Sequence, residues 1–167
     1  FNTPGGSVET VLEIIQVMRA SEVPVVVYVS PNDAIAGSAG ALITMAGHAS
    51  AMAPKTAIGA ASPIDSSGSD IQSTLEKKIK EILKARVRTL TESRGTKAVK
   101  LAESMIDDAK AVTAKEALDA KLIDFISDDT EDLLQSLNGF TVQMDDGSKI
   151  KLNTEDVRTE SVDISFI

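Results

Sequence analysis

The stretch "VPVVVYVSPNDAIAGSAGALITMAG", residues 23–47, decides the fold. Its first part, "PVVVYVS", is a continuous run of mostly β-branched residues between Pro24 and Pro31, the pattern of a strand buried on both faces of a parallel sheet. Its second part, from Ser38, holds only small and apolar residues apart from Thr44 and reads as a buried helix. Ser38 stands at the start of that helix. A serine there ordinarily caps the helix, its oxygen accepting a backbone N–H. The alternative is chemical: Ala39, Gly40 and Ala41 leave the amides of the first turn open to a ligand, and a helix N-terminus carries the partial positive charge that suits an oxyanion.

Outward from this stretch the chain alternates helix and strand. Upstream, "SVETVLEIIQVMRAS" places Val8, Val11, Leu12, Ile15 and Met18 at helical spacing. The order helix, buried strand, helix predicts an α/β layered fold. "ASAMA" and "TAIGAAS" read as brief strands on either side of Pro54, and "DSSGSD", residues 65–70, as a loop. A charged helix is expected over residues 71–93, followed by the helix "TKAVKLAESMI", a capping box of Thr113 with Glu116, and a short helix and strand. After Asn138-Gly139 the alternation of Phe140, Val142 and Met144, the turn "DDG", and then Ile150 and Leu152 predict a β-hairpin. The expected organisation is one domain over residues 1–139 and a hairpin and tail over 140–167, packed on the domain or on a partner subunit.

Composition narrows the function. The chain has 167 residues, 43% of them hydrophobic, and a net charge of −8 with no basic face, which argues against nucleic acid. There is no cysteine and a single histidine, His48, so no thiolate nucleophile or cysteine-based metal site is available. No cofactor or metal is expected. No apolar run approaches the roughly 20 residues that a bilayer requires, so any membrane anchor is expected outside this piece. The opening "FNTPGG" reads as the end of a buried strand running into a glycine turn, as though a longer protein were trimmed.

The second chemical motif is "TPGG", Thr3–Gly6. By itself it is a turn. In a parallel sheet, however, it lies with Ser38 at the carboxyl ends of strands, where such sheets bind ligands. A hydroxyl nucleophile also needs a base. His48, among small residues, reads equally as a structural histidine. On the charged helix, Leu75, Ile79, Ile82, Leu83 and Leu90 form one apolar stripe with Lys78 at its edge, while Lys77, Lys80 and Lys84 point away. Lys78 is therefore the lysine expected to face inward, against the plain reading that its stem packs and its ammonium stays in water.

"NTPGG", "VPVVVYVSPNDAIAGSAGALITMAGHASAMAPKTAIGAASP", "EKKIKEILKARVRTLTESRG" and "VTAKEALDAKLID" together resemble the ClpP/crotonase-fold serine proteases, and most closely the N-terminal protease domain of NfeD-type membrane proteases, partners of stomatin-like proteins. The resemblance implies a parallel sheet with flanking helices, Ser38 as nucleophile, Lys78 as general base, and the backbone N–H groups of Gly6 and Ala39 as the oxyanion hole. It also implies apolar peptide substrates, among them the C-terminal region of a stomatin-like protein. It further implies a homodimer or larger assembly and a membrane-associated whole protein with an extracytoplasmic catalytic domain. The histidine of the Clp proteases has no counterpart in "GAASPI", which favours a Ser-Lys dyad over a triad. Departures are Lys55 in place of a usual glycine, Thr96-Lys97 in place of "RN", and Arg86 where an aromatic is common. Three alternatives stand beside this reading: a catalytically inactive peptide-binding scaffold, a crotonase-like acyl-CoA enzyme and a signal-peptide-peptidase-like protease.

Overall fold

The computed structural model describes residues 1–64 and 71–162. The loop expected over residues 65–70 lies outside the described residues. Helix α1 spans Val8–Arg19 and opens on Ser7, whose Oγ accepts the Thr10 N–H at 3.1 Å. Strand β1 (Val26–Val29) follows, then β2 (Ile35–Gly37), helix α2 (Ala39–Ala46), β3 (Ala49–Met52) and β4 (Ala57–Gly59). Helix α3 (Ser73–Thr91) runs into a 3-10 turn, Glu92–Arg94, before α4 (Thr96–Asp107), β5 (Ala111–Thr113), α5 (Ala114–Asp119), β6 (Phe125–Ile126) and α6 (Thr130–Leu137). The hairpin is β7 (Thr141–Gln143) with β8 (Lys149–Lys151), paired antiparallel as its alternation predicts. The capping box forms as read: Thr113 accepts the Glu116 N–H, and the Glu116 carboxylate accepts the Thr113 N–H.

Two small sheets share the strands. One is fully parallel in the order β1-β3-β6, and the other, β2-β4-β5, pairs β2 and β4 parallel and β4 and β5 antiparallel. Strands β2 and β5 are not read from sequence: each is short and is fixed by pairing with β4, distant in the chain. The segment before "TPGG" is extended and pairs along both β1 and β2: the Phe1 carbonyl accepts the Ser30 N–H, and Thr3 exchanges bonds with Ile35 and Gly37. It is less buried than expected, since the Phe1 ring is 42% exposed. Because Thr3 and Ala36 pair in parallel, the glycine turn and the Ser38 turn leave neighbouring strands at the same end.

The β1 run is apolar throughout because both faces are covered. Val29 joins the large core made with α1, α2, α3 and α4 around Ile15, Met45, Met52, Val87 and Met105. The opposite face, with Val26 and Tyr28, packs on Leu133, Leu137, Val142 and Met144 of α6 and the hairpin, where Phe125 and Phe140 meet edge to face at 4.9 Å. Lys55 sits in the β3–β4 turn at φ +61°, a conformation that glycine adopts without strain.

Asp124 ties the turn that follows α3 to strand β3. It accepts two hydrogen bonds from Arg94, at 2.9 and 3.1 Å, and one from the Ser50 N–H at 2.8 Å. Both side chains are largely buried. Removing one partner strands the other charge, so Asp124→Ala is expected to cost about 3 kcal/mol, measured as a lower urea midpoint at unchanged m-value; a loss under about 1 kcal/mol would mean that the pair is merely a surface contact.

Candidate active site

The elbow at Ser38 departs from ordinary helix capping. Its backbone has φ +51° and ψ −119°, and its hydroxyl caps no amide of α2. For a residue with a Cβ, such a conformation costs on the order of 1–3 kcal/mol and persists only where the surroundings impose it. They do so here through short contacts. The Ser38 N–H donates to the Gly59 carbonyl at 2.8 Å, and the Ser38 carbonyl accepts the Ala41 N–H at 3.0 Å. Gly59 is held at φ +132° with its α-carbon so close to Lys110 that a Cβ would stand 2.2 Å from the Lys110 carbonyl oxygen. A strained strand-to-helix turn that presents a serine oxygen is the geometry of a nucleophile elbow.

The glycine turn lies directly against this elbow. Thr3 Oγ1 accepts the Gly5 N–H at 3.2 Å and closes the turn. A Cβ on Gly5, which has φ +140°, would stand 2.8 Å from Ser38 Cβ and 3.3 Å from its Oγ, and one on Gly37 would stand 2.9 Å from the Pro4 carbonyl oxygen. One on Gly40 would strike Thr3 Cγ2 at 2.6 Å. The small residues around Ser38 are thus the condition for the two turns to touch. Among the described residues, neither the Gly6 nor the Ala39 N–H donates to a protein acceptor, and the two residues share the walls of the adjoining hollows.

Lys78 is the residue that the structure places differently from the sequence reading. It lies on α3, but its side chain is exposed and does not line the cavity beside Ser38. The buried line of α3 is Leu83, Val87 and Thr91, with Ile79 and Leu90 partly covered. Leu75 and Ile82, taken above as part of the inward stripe, are 52% and 59% exposed. Lys80 and Lys84, expected to point away, are the half-buried lysines: Lys80 meets Glu76 at 2.7 Å, and Lys84 meets Glu81 and Asp107. The cause is α4, which packs along that side of α3 and brings Asp107. Those hydrogen bonds to Asp107 and Glu81 raise the pKa of Lys84, which makes it a poor base.

His48 takes the structural role. It follows α2, whose eight residues put about 12 Å of helix between it and Ser38. Its Nδ1 accepts the Val25 N–H at 3.0 Å, and Nε2 is buried with no partner among the described residues. Burial, and then the charge of Arg19, lower its pKa, with Asp145 acting in the opposite sense. Among the described residues no group of His, Asp and Glu is placed to hold a metal ion, and no helix is long and apolar enough to cross a membrane.

A ClpP-like fold is defined by this architecture: ClpP1 from Listeria monocytogenes superposes with a TM-score of 0.55 at 19% identity, over 78% of this chain and 72% of that one. Residues 1–159 match the NfeD1b N-terminal domain, and the chain belongs to that family. The membrane-bound protease PH1510 of Pyrococcus horikoshii is 34% identical over 99% of this chain, which spans 38% of that protein's length. A lysine-to-alanine variant of the 1510-N membrane-bound stomatin-specific protease, solved in complex with a substrate peptide, gives a TM-score of 0.88 at 30% identity over 99% of this chain and 76% of that one. A serine-to-alanine variant of the same protease gives 0.87 at 32% identity, over 98% and 80%.

Two expectations follow. Gly5→Ala puts a methyl group against the Ser38 side chain, so labelling of Ser38 by a fluorophosphonate should slow by about a hundredfold while the fold survives, a displacement of a placed group being costly in rate; unchanged labelling would separate the glycine turn from the serine. Because folding holds the His48 pKa below its ordinary value near 6.5, the unfolded chain takes up a proton first as the pH falls, and stability declines below about pH 6.5. Urea midpoints between pH 7.5 and 5.5 should show that decline in the wild type and lose it in His48→Gln; an identical slope in both would assign it to other groups.

Proposed function

We propose that this chain is the catalytic domain of a serine endopeptidase in which Ser38 is the nucleophile and Lys78 the general base. The observation that carries the reading is the strained, uncapped Ser38 pressed against an open glycine turn, in a chain of a family whose solved relatives are named as proteases. Lys78 Nζ takes the Ser38 Oγ proton as the oxygen attacks the peptide carbonyl, and the oxyanion accepts hydrogen bonds from the Gly6 and Ala39 N–H groups. Collapse of the tetrahedral intermediate expels the amine, which receives the proton from Lys78. Water, deprotonated by Lys78 Nζ, then attacks the acyl group, and Lys78 returns the proton to Ser38 Oγ as the acid leaves. Each donor of such a hole is worth about 3–4 kcal/mol of barrier.

Leu75 and Ile82, three residues before and four after Lys78 on α3, are each more than half exposed, an apolar edge suited to a second copy of the chain and to an apolar peptide, either of which would shield Lys78 from water. The substrate is accordingly an apolar segment, and for this family branch the C-terminal region of a stomatin-like protein; one relative is named as specific for a stomatin homologue. The whole protein is membrane-anchored with this domain extracytoplasmic. The scaffold alternative draws on the same exposure of Lys78 and predicts binding without turnover.

Ser38→Ala and Lys78→Ala are each expected to lower kcat for an apolar peptide by about a thousandfold or more, with circular dichroism unchanged. The wild-type specific activity should rise with protein concentration as copies associate. Undiminished turnover by either variant refutes the dyad; peptide binding without turnover in the wild type selects the scaffold.

A further inference from the structure

A cavity of about 580 Å³, a volume in the range of ligand sites, lies at the far end of α2 from Ser38: Gly47 and His48 line it, and Ser38 does not. One wall is the hairpin strand β7 with its flanks, from Phe140 to Asp145, while no residue of β8 lines the cavity. The cavity therefore lies on the side of β7 away from β8, and that edge is open. The Met144 N–H donates to the Ser148 carbonyl at 2.8 Å and the Leu152 N–H to the Phe140 carbonyl at 2.8 Å, with Val142 opposite Ile150 between them. Hydrogen-bonded and non-hydrogen-bonded pairs alternate along antiparallel strands, so the N–H and C=O groups of Thr141 and Gln143 point away from β8. Among the described residues they have no other partner.

The facing wall is α3. Arg86, Thr89 and Leu90 recur at i, i+3 and i+4, which makes one helix face, and all three line the cavity. The other two arginines of the lining are engaged, Arg19 by Asp145 and Arg94 by Asp124. Arg86 is exposed and has no ion-pair partner among the described residues. Glu92 also lines the cavity, from the 3-10 turn that follows α3. An open strand edge set against a helix face with a free guanidinium is a receptor for an extended chain. We propose that this cleft takes an extended, acidic segment of a partner protein as a third strand on β7. The edge supplies main-chain hydrogen bonds, and Arg86 selects for a carboxylate in the segment as a charge-assisted donor. Because α3 faces the edge across the cavity, a single extended chain fits there better than the edge of a second folded copy. Its binding needs neither Ser38 nor Lys78.

The test is amide hydrogen exchange of the full chain, read by NMR, with the acetylated and amidated peptide TVEVT, its TVKVT counterpart, and TVEVT methylated at every backbone nitrogen. Millimolar TVEVT should slow exchange at Thr141 and Gln143 by at least about tenfold and leave Val142, already bonded within the hairpin, unchanged. TVKVT on the wild type, and TVEVT on Arg86→Gln, should each bind about fivefold more weakly, and Arg86→Glu should reverse the preference toward TVKVT. Gln143→Pro removes an outward N–H from the receiving edge, a substitution that edge strands tolerate, and should abolish binding; if its hairpin does not form, the methylated peptide tests the same bonds from the ligand side and should not bind. Ser38→Ala should bind TVEVT as the wild type does. Exchange at Thr141 and Gln143 unmoved by TVEVT overturns the proposal, as do equal binding of TVEVT and TVKVT, undiminished binding of the methylated peptide, or loss of binding in Ser38→Ala.

Discussion

One hydrogen bond, from the Ser38 N–H to the Gly59 carbonyl at 2.8 Å, fixes the conformation on which the site depends. A serine at φ +51° relaxes toward the ordinary helical or extended regions unless its amide and carbonyl are both held. β4 supplies the acceptor because Gly59 lies against Lys110 at a distance that no side chain tolerates, which brings β4, β5 and β2 into one sheet. The strain at Ser38 is thus sustained by the packing of the neighbouring strand β4 on Lys110, just ahead of β5. The same bond frees the serine oxygen: with the backbone turned this way, the hydroxyl caps no amide of α2 and projects beside the glycine turn.

The second constraint is steric. Gly5, Gly37 and Gly40 each leave less than 3.0 Å for a Cβ against the opposing turn or residue. Any methyl group at these positions separates Thr3–Gly6 from the α2 elbow, and with it the two amides proposed to hold an oxyanion. This answers why a helix of small residues follows a buried strand: the small residues are a surface on which another backbone rests. The apolar interior of α2, with Leu42 and Met45 in the core, anchors the elbow from below.

Much of this was legible in the sequence, for identifiable reasons. The β1 run, the α1 periodicity, the Thr113–Glu116 box and the β7–β8 alternation are local patterns, and each forms as read. Ser38 with "TPGG" was legible because parallel topology puts consecutive strand ends together. The face of α3 was not. A stripe of Leu75, Ile79, Ile82, Leu83 and Leu90 fits helical spacing, but an amphipathic count cannot tell a face that packs within the chain from one that stays exposed on it. α4 brings Asp107 to Lys84, which turns the buried line toward Leu83, Val87 and Thr91 and leaves Lys78 outward. The small strands β2 and β5 escaped because their pairing is set by partners distant in the chain. Lys55 is the reverse case: a residue that stood out in sequence and whose left-handed backbone explains why glycine suits that turn.

The proposed chemistry requires the oxyanion formed by attack of Ser38 to meet two backbone amides from separate turns. The most direct measurement is a crystal structure of the chain bearing a covalent phosphonate on Ser38, which mimics the tetrahedral intermediate. The account predicts one phosphonyl oxygen at about 2.7–3.1 Å from both the Gly6 and Ala39 nitrogens, with the α2 elbow unmoved. A phosphonyl oxygen turned to solvent, or held by any other pair of donors, would contradict it.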